Sequence, residues 1–266
     1  LVSDTQLFLR KAVHRQMISD VPVGAFLSGG LDSSSVVAFA KEINPDIKCF
    51  TFANNYSSRE GFVDDLPYAK KVAEHLNVSL EILQINPFDF DSDFKSMIID
   101  LEEPLADLAP MNVFLISKLA RECGVKVLLS GAGGDDIFTG YRRHFALNTE
   151  SFWSWLPQPS RQVIQNLSQL LPSEKPFFRR VGKVFSGAGL NDNDRLINYF
   201  KWINRKDLNS LYSYDFLQAL GQAKAELPME EFLLNYEKDL SPLSKMLLLE
   251  QRFFLTDHNL LYTDKM

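Results

Sequence analysis

Apolar positions in the first half of the chain switch repeatedly between helical and strand spacing. Leu9, Ala12, Val13 and Met17 recur at helical intervals, Ser3 or Asp4 stands ready as a cap, and Pro22 ends the segment. Val23–Leu27 reads as a short buried strand. Ser33–Ile43 reads as a helix with Val36, Val37 and Ala40 inward, closed by Asn44-Pro45, and Ile47–Phe52 predicts a second strand. Asp64 or Asp65 caps a helix running to about His75, with Pro67 in its first turn, where a missing N–H costs nothing. Val78–Ile85 predicts a third strand, Met111–Glu122 a helix broken by Gly124, and Val125–Leu129 a fully apolar fourth strand. Strands alternating with helices imply an α/β fold: a doubly wound, mostly parallel sheet with right-handed crossovers and a ligand crevice at the strands' carboxyl ends.

After about Tyr141 no strand pattern returns. Helical stretches rich in Phe, Leu and Trp follow, punctuated by Pro157, Pro159, Pro172 and Pro176, and the Phe residues read as core. The expected organisation is an α/β core over 1–145 and a mainly helical region of the same domain over 146–266. The 266 residues, 45% hydrophobic and 23% charged, suffice for one large domain or two smaller ones.

Chemistry concentrates where two strands end. The first gives Leu27-Ser28-Gly29-Gly30-Leu31-Asp32-Ser33-Ser34 and then a helix. Glycines let a backbone approach phosphate oxygens, unpaired N–H groups point outward, and the helix dipole favours negative charge. Asp32 would repel phosphates unless it holds Mg²⁺, a hard cation bound through one or two carboxylates plus phosphate oxygens. The spacing is not that of a lysine-containing Walker loop. The fourth strand runs into Ser130-Gly131-Ala132-Gly133-Gly134-Asp135-Asp136-Ile137-Phe138-Thr139-Gly140-Tyr141, which in a parallel sheet faces the first loop, so that Asp135 could complete a Mg²⁺ site begun by Asp32.

Charge and cysteine usage narrow the classes. A formal net charge of −6 argues against a nucleic-acid-binding surface. Cys49 and Cys123 stand far apart in no metal or redox spacing, which predicts buried small hydrophobes in a reducing, cytoplasmic setting. No signal peptide and no membrane-length apolar run is seen. Leu1 at the start and Thr263-Asp264-Lys265-Met266 at the end suggest a piece of a longer polypeptide. His14, His75, His144 and His258 lack metal-ligand spacing and predict surface or packing roles. Arg142-Arg143-His144 fits a solvated face as readily as a phosphate or acidic-substrate contact, and Glu102-Glu103 reads as ordinary loop.

The first loop resembles the PP-loop, SGGxDS, of N-type ATP pyrophosphatases, and the two loops together resemble the asparagine synthetase family, whose synthetase domain carries SGGLDSS and later SGxGxDExFxGY. Met17–Gly24, Asp65–Leu76, Glu103-Pro104 through Ser117, and Leu260–Met266 are similar to further family segments. The resemblance implies an adenine nucleotide alpha hydrolase-like fold in which Ser28, Gly29, Gly30, Asp32, Ser33 and Ser34 hold pyrophosphate and Mg²⁺. Asp135 would be the second Mg²⁺ carboxylate, Phe26 and Phe52 would lie at the adenine, and Ser130 and Gly131 at the nucleotide and adenylate. It also implies a two-step ligase that uses ATP and Mg²⁺. A carboxylate (aspartate or an analogue) becomes acyl-AMP with release of pyrophosphate, and ammonia from a glutaminase domain, absent here, displaces AMP. Asp32 and Asp135 would be the catalytic pair. No nucleic-acid or membrane partner is implied, and a homodimer is left open.

Two departures qualify the match. Ala132 stands where asparagine-forming members carry an acidic residue, and the family's later lysine would fall beyond Met266. Ala132 keeps related branches in view: β-lactam-forming synthetases, peptide cyclases, sugar amidotransferases, or a degenerate nucleotide-binding domain. RNA-modifying pyrophosphatases would need a basic face and, for thiolation, reactive cysteines.

Overall fold

The computed structural model describes residues 1–53, 64–84, 90–172, 175–203, 205–236 and 239–266. The chain forms two compact units, one of Leu1–Gly134 with Leu255–Met266 and one of Asp135–Phe254.

The first unit holds a four-stranded parallel sheet of β1 (Val23–Phe26), β2 (Lys48–Ala53), β3 (Ser79–Gln84) and β4 (Val127–Leu129), in the order β3-β2-β1-β4. Ala25 lies opposite Cys49 on one side and Leu129 on the other. The chain steps outward from β1 to β3 and then returns to the far side of β1. The switch point of the sheet therefore lies between β1 and β4, where open parallel sheets bind ligands beyond the carboxyl ends.

Period-two alternation sorts side chains onto two apolar faces. Ala25 and Cys49 face one layer, with Val13 of α1 (Val2–Gln16), Val36, Val37 and Ala40 of α2 (Leu31–Lys41), and Ala69 and Ala73 of α3 (Leu66–Leu76). Phe26, Phe50 and Phe52 face the other, against Ile116, Leu119 and Ala120 of α5 (Ala109–Glu122). Helices on both faces make the sheet doubly wound, as the sequence pattern predicts. Both cysteines are free thiols, and burial pushes Cys49 up to about 12, so it serves as core.

Several boundaries differ from the sequence expectation for local reasons. Helix α1 begins at Val2 with no side-chain cap, so neither Ser3 nor Asp4 acts as one. Asp64 Oδ1 accepts the Leu66 N–H (3.1 Å) at the start of α3, and Asn77 ends that helix at φ 48°. Strand β4 begins only at Val127 because the Val125 N–H turns back to the Ala120 carbonyl and the Lys126 N–H goes to the Pro22 carbonyl. Ile85, expected to end β3, lies outside the described residues. Helix α4 (Phe90–Leu101) was not expected. Met97 and Leu101 are buried one turn apart, while Phe94 and Ile98 stay exposed.

The second unit is helical: α7 (Arg142–Thr149), a 3₁₀ turn (Glu150–Phe152), α8 (Gln158–Gln169), α9 (Pro176–Phe185), α10 (Asp192–Asn198), α11 (Arg205–Leu211), α12 (Tyr214–Leu220), α13 (Leu227–Leu234) and α14 (Pro242–Leu249). Short α6 (Gly134–Phe138) precedes them; a π-helix (Glu250–Leu260) and α15 (Leu261–Lys265) end the chain. Two apolar clusters form around Leu147, Leu196, Tyr199 and Met246, and around Ile197, Leu233 and Leu249. Phe200, Phe232 and Phe253 pack on them, but Phe152 and Phe177 are exposed, so only part of the aromatic content is core. Buried Glu150 accepts hydrogen bonds from Arg195 Nε and Tyr199 Oη, both at 2.7 Å, pairing a charge that burial would otherwise penalise.

Candidate active site at the switch point

Strand β1 runs into its loop without a break. The Leu27 N–H still donates to the Phe50 carbonyl (2.9 Å), and Gly29 then turns the backbone at φ 80°. A Cβ at Gly29 would also overlap the backbone of Tyr68 and Ala69, so conformation and space both demand glycine there. Gly30 caps α2, which begins at Leu31, two residues before the sequence pattern suggests, and so has Asp32 and Ser33 in its first turn.

The loop is cross-braced by its own serines. Ser28 and Ser33 hydroxyls lie 3.0 Å apart, the Ser28 N–H donates to Ser33 Oγ (3.3 Å), and the Gly30 N–H donates to Ser28 Oγ (3.3 Å). Ser33 Oγ in turn donates to the Gly30 carbonyl (3.3 Å). The Ser34 hydroxyl oxygen is buried without a hydrogen-bond partner among the described residues. A buried, unpartnered hydroxyl is costly. Burial raises the Asp32 carboxyl above its ordinary value; a cation would reverse that shift.

The loop after β4 fits into this one. A Cβ on Gly131 would sit 2.7 Å from Ser33 N and 3.0 Å from Asp32 C, and one on Gly134 would overlap the Asp32 carboxylate. The Ala132 N–H is held by Ser130 Oγ (3.1 Å), and Ala132 itself is exposed. Ser28, Gly29, Gly30, Asp32, Ser33 and Ser34 thus share one corner with Ser130, Gly131 and Gly134. Phe26 ends β1, and Phe52 lies two residues beyond Phe26's partner Phe50 in β2; both are half-buried in the apolar layer facing α5.

Asp135 opens the second unit, where an added Cβ at Gly140 would take the place of its Oδ1. Residues that sequence reading left bland meet there. The Gly140 N–H donates to His144 Nδ1 (3.0 Å), and His144 Nε2 lies 2.7 Å from Glu250 Oε2. Arg143 Nε pairs with the other Glu250 oxygen, and its guanidinium stacks over Tyr141 (4.1 Å) and Phe254 (4.3 Å). Tyr141 Oη donates to Asp136 Oδ2 (3.0 Å). Burial, then the Arg143 charge, holds His144 below its ordinary value. Burial lifts Glu250 to about 7 against the opposing effect of Arg143. A partner 106 positions away gives no periodic signal, so only the tight spacing Tyr141-Arg142-Arg143-His144 could have drawn attention to this cluster.

His258, expected on a surface or in packing, pairs through Nε2 with Asp107 Oδ2 (3.1 Å) and holds that carboxyl below the usual range. Among the described residues no three His, Cys, Asp or Glu side chains gather as a metal cluster, and no helix is long and apolar enough to cross a membrane.

Comparison with known proteins points to one family. The chain is 38% identical over 165 residues to a putative glutamine-hydrolysing asparagine synthetase of Methanocaldococcus jannaschii, covering 61% of this chain and 31% of that protein. It is 30% identical over 172 residues to a glutamine-hydrolysing asparagine synthetase of Bacillus subtilis, covering 65% and 26%. It is 29% identical over 181 residues to a protein of Penicillium rubens named an amidase, covering 61% and 26%. The matched stretches thus span about a quarter to a third of those relatives. A family model described as asparagine synthase matches residues 5–266, nearly the whole chain, and the chain belongs to the asparagine synthase family.

Proposed function

We propose that this chain is the ATP-using part of a synthetase that amidates a carboxylate through an acyl-adenylate. The observation that carries the reading is the fit of two glycine-rich loops at the carboxyl ends of adjacent parallel strands, Gly131 seated on the backbone of Asp32 and Ser33.

The residues suit a triphosphate and Mg²⁺. Gly30 starts α2, Ser34 carries a buried hydroxyl without a hydrogen-bond partner among the described residues, and a cation beside desolvated Asp32 would favour its charged form. Asp32 and Asp135 are proposed as the Mg²⁺ carboxylates, in keeping with the habit of Mg²⁺ of taking one or two carboxylates together with substrate phosphates. When bound, Mg²⁺ neutralises charge on the departing pyrophosphate. Ser28, Gly29, Gly30, Ser33 and Ser34 are proposed to hold that pyrophosphate, Ser130 and Gly131 the adenylate, and Phe26 and Phe52 to border the adenine. The substrate carboxylate attacks the α-phosphorus of ATP, breaking the bond to the β-phosphate oxygen. Ammonia then attacks the acyl carbon and AMP leaves. Its source is proposed to be a glutaminase domain, and the setting the cytoplasm.

Ala132 favours a second reading of the acceptor. An exposed methyl cannot transfer a proton or hold an ammonium, so a substrate other than aspartate, or another group doing that work, fits this position better. Calorimetric titration with Mg²⁺ and an ATP analogue non-hydrolysable at the α–β bridge tests the nucleotide site. Binding is expected in the parent and lost in Asp32→Ala; equal binding by both would refute the assignment.

A further inference from the structure

The hydrogen-bond chain behind Asp135 has a direction. Gly140 donates its N–H to His144 Nδ1, so that nitrogen carries no proton, and the neutral ring must carry it on Nε2. Nε2–H then donates to Glu250, whose second oxygen is taken by Arg143. The Gly140 amide is therefore fixed by a side chain that is itself fixed at its far end.

This anchoring bears on Asp135 by contact. The space a Cβ would need at Gly140 is filled by the Asp135 carboxylate, so the backbone at Gly140 forms one wall of that carboxylate's position. The preceding residue, Thr139, sits at φ 71°. A β-branched residue rarely adopts that region and stays there only where its surroundings hold it. The Gly140–His144 bond, formed by the next peptide, is such a restraint. Neighbouring Asp136 is secured separately by Tyr141 Oη.

We propose that His144 is a positioning residue for the second Mg²⁺ carboxylate: through Nδ1 it locks the Thr139–Gly140 turn against Asp135, with Glu250 and Arg143 setting the ring. The proposal rests on the reading of Asp135 as a metal carboxylate.

Two substitutions separate the ends of the ring. His144→Asn keeps an acceptor near the Nδ1 position and gives up the Glu250 contact; His144→Gln keeps a donor near the Nε2 position and gives up the acceptor for Gly140. Mg²⁺ affinity is measured by calorimetry in the presence of the ATP analogue, with Asp135→Asn as reference. His144→Gln is expected to weaken Mg²⁺ on the order of tenfold, the usual scale for losing a group that orients a metal ligand. His144→Asn is expected to retain most of the parent affinity. A merely structural anchor would show the reverse order or equal losses, and either result overturns the proposal. Nitrogen-15 spectra of the parent give a readout independent of the variants' folding. The His144 ring is expected protonated on Nε2 and bare on Nδ1, and the opposite tautomer overturns the proposal. If Asp135→Asn binds Mg²⁺ as the parent does, the metal reading itself fails; if it loses Mg²⁺ while both His144 variants bind normally, only the relay fails.

Discussion

Gly131→Ala probes the contact on which the site depends. The new methyl would lie 2.7 Å from Ser33 N and 3.0 Å from both Asp32 C and Ser33 Cα. Ordinary contacts between such atoms lie at roughly 3.5 Å, so the loops must separate by about 0.5–0.8 Å. All three neighbours are backbone and cannot step aside by changing rotamer. Overpacking of this kind costs about 1–3 kcal/mol, or very roughly 2–12 °C in melting temperature for a chain of this size. A displacement approaching 1 Å at a positioned site costs about a hundredfold in function, so the Mg²⁺-dependent affinity for the ATP analogue should fall by about ten- to a hundredfold. Gly124→Ala is the control. Nothing lies within 4 Å of its missing Cβ, but its φ of 80° imposes backbone strain of about 1–2 kcal/mol, remote from the loops. Calorimetry and thermal melting on both variants decide the matter. Comparable melting losses with affinity lost only in Gly131→Ala support the account. Parent-like affinity in Gly131→Ala, or equal affinity loss in both, refutes it.

Two further predictions follow from particular side chains. Glu250 is lifted from 4.5 to about 7 in the fold, so the folded chain holds a proton that the unfolded chain releases across that window, and stability falls as pH rises from 4.5 to 7. At 1.36 kcal/mol per pKa unit this contribution is on the order of 3 kcal/mol. Denaturant unfolding at several pH values should show Glu250→Gln gaining on the parent by about that much as pH rises, and a constant difference would contradict the assignment. Ala132→Glu restores the acidic group of asparagine-forming relatives; if aspartate is the substrate, it should raise ammonia-dependent asparagine formation about 10²–10⁴-fold, the usual contribution of a positioned acid–base group. No change would point to another acceptor substrate.

The sheet was legible because burial on both faces leaves short apolar runs, Val23–Leu27 and Val125–Leu129, framed by Pro22, glycine and helical spacing. The two loops were legible for a related reason: close backbone approach demands glycine, and Gly29, Gly131 and Gly134 each meet backbone or carboxylate where a Cβ would stand. Helix α4 was missed although Phe90, Phe94, Met97, Ile98 and Leu101 recur at helical spacing in the sequence. The Arg143–His144–Glu250 cluster and the Asp107–His258 pair were illegible because each joins residues distant in sequence, and long-range pairing of charged side chains leaves no periodic trace. The π-helical stretch over Glu250–Leu260 carries ordinary helical residues, and nothing in their order distinguishes it from an α-helix.

As proposed, the Asp32 loop supports cleavage of ATP between its α- and β-phosphates by a carboxylate. Isotope exchange between pyrophosphate and ATP measures that step directly, without ammonia and without knowledge of the amidated product. With aspartate and related amino acids supplied in turn, Mg²⁺-dependent exchange is expected that requires one of these carboxylates and disappears in Asp32→Ala. Exchange that persists in Asp32→Ala, or release of ADP and phosphate in place of AMP and pyrophosphate, would contradict it.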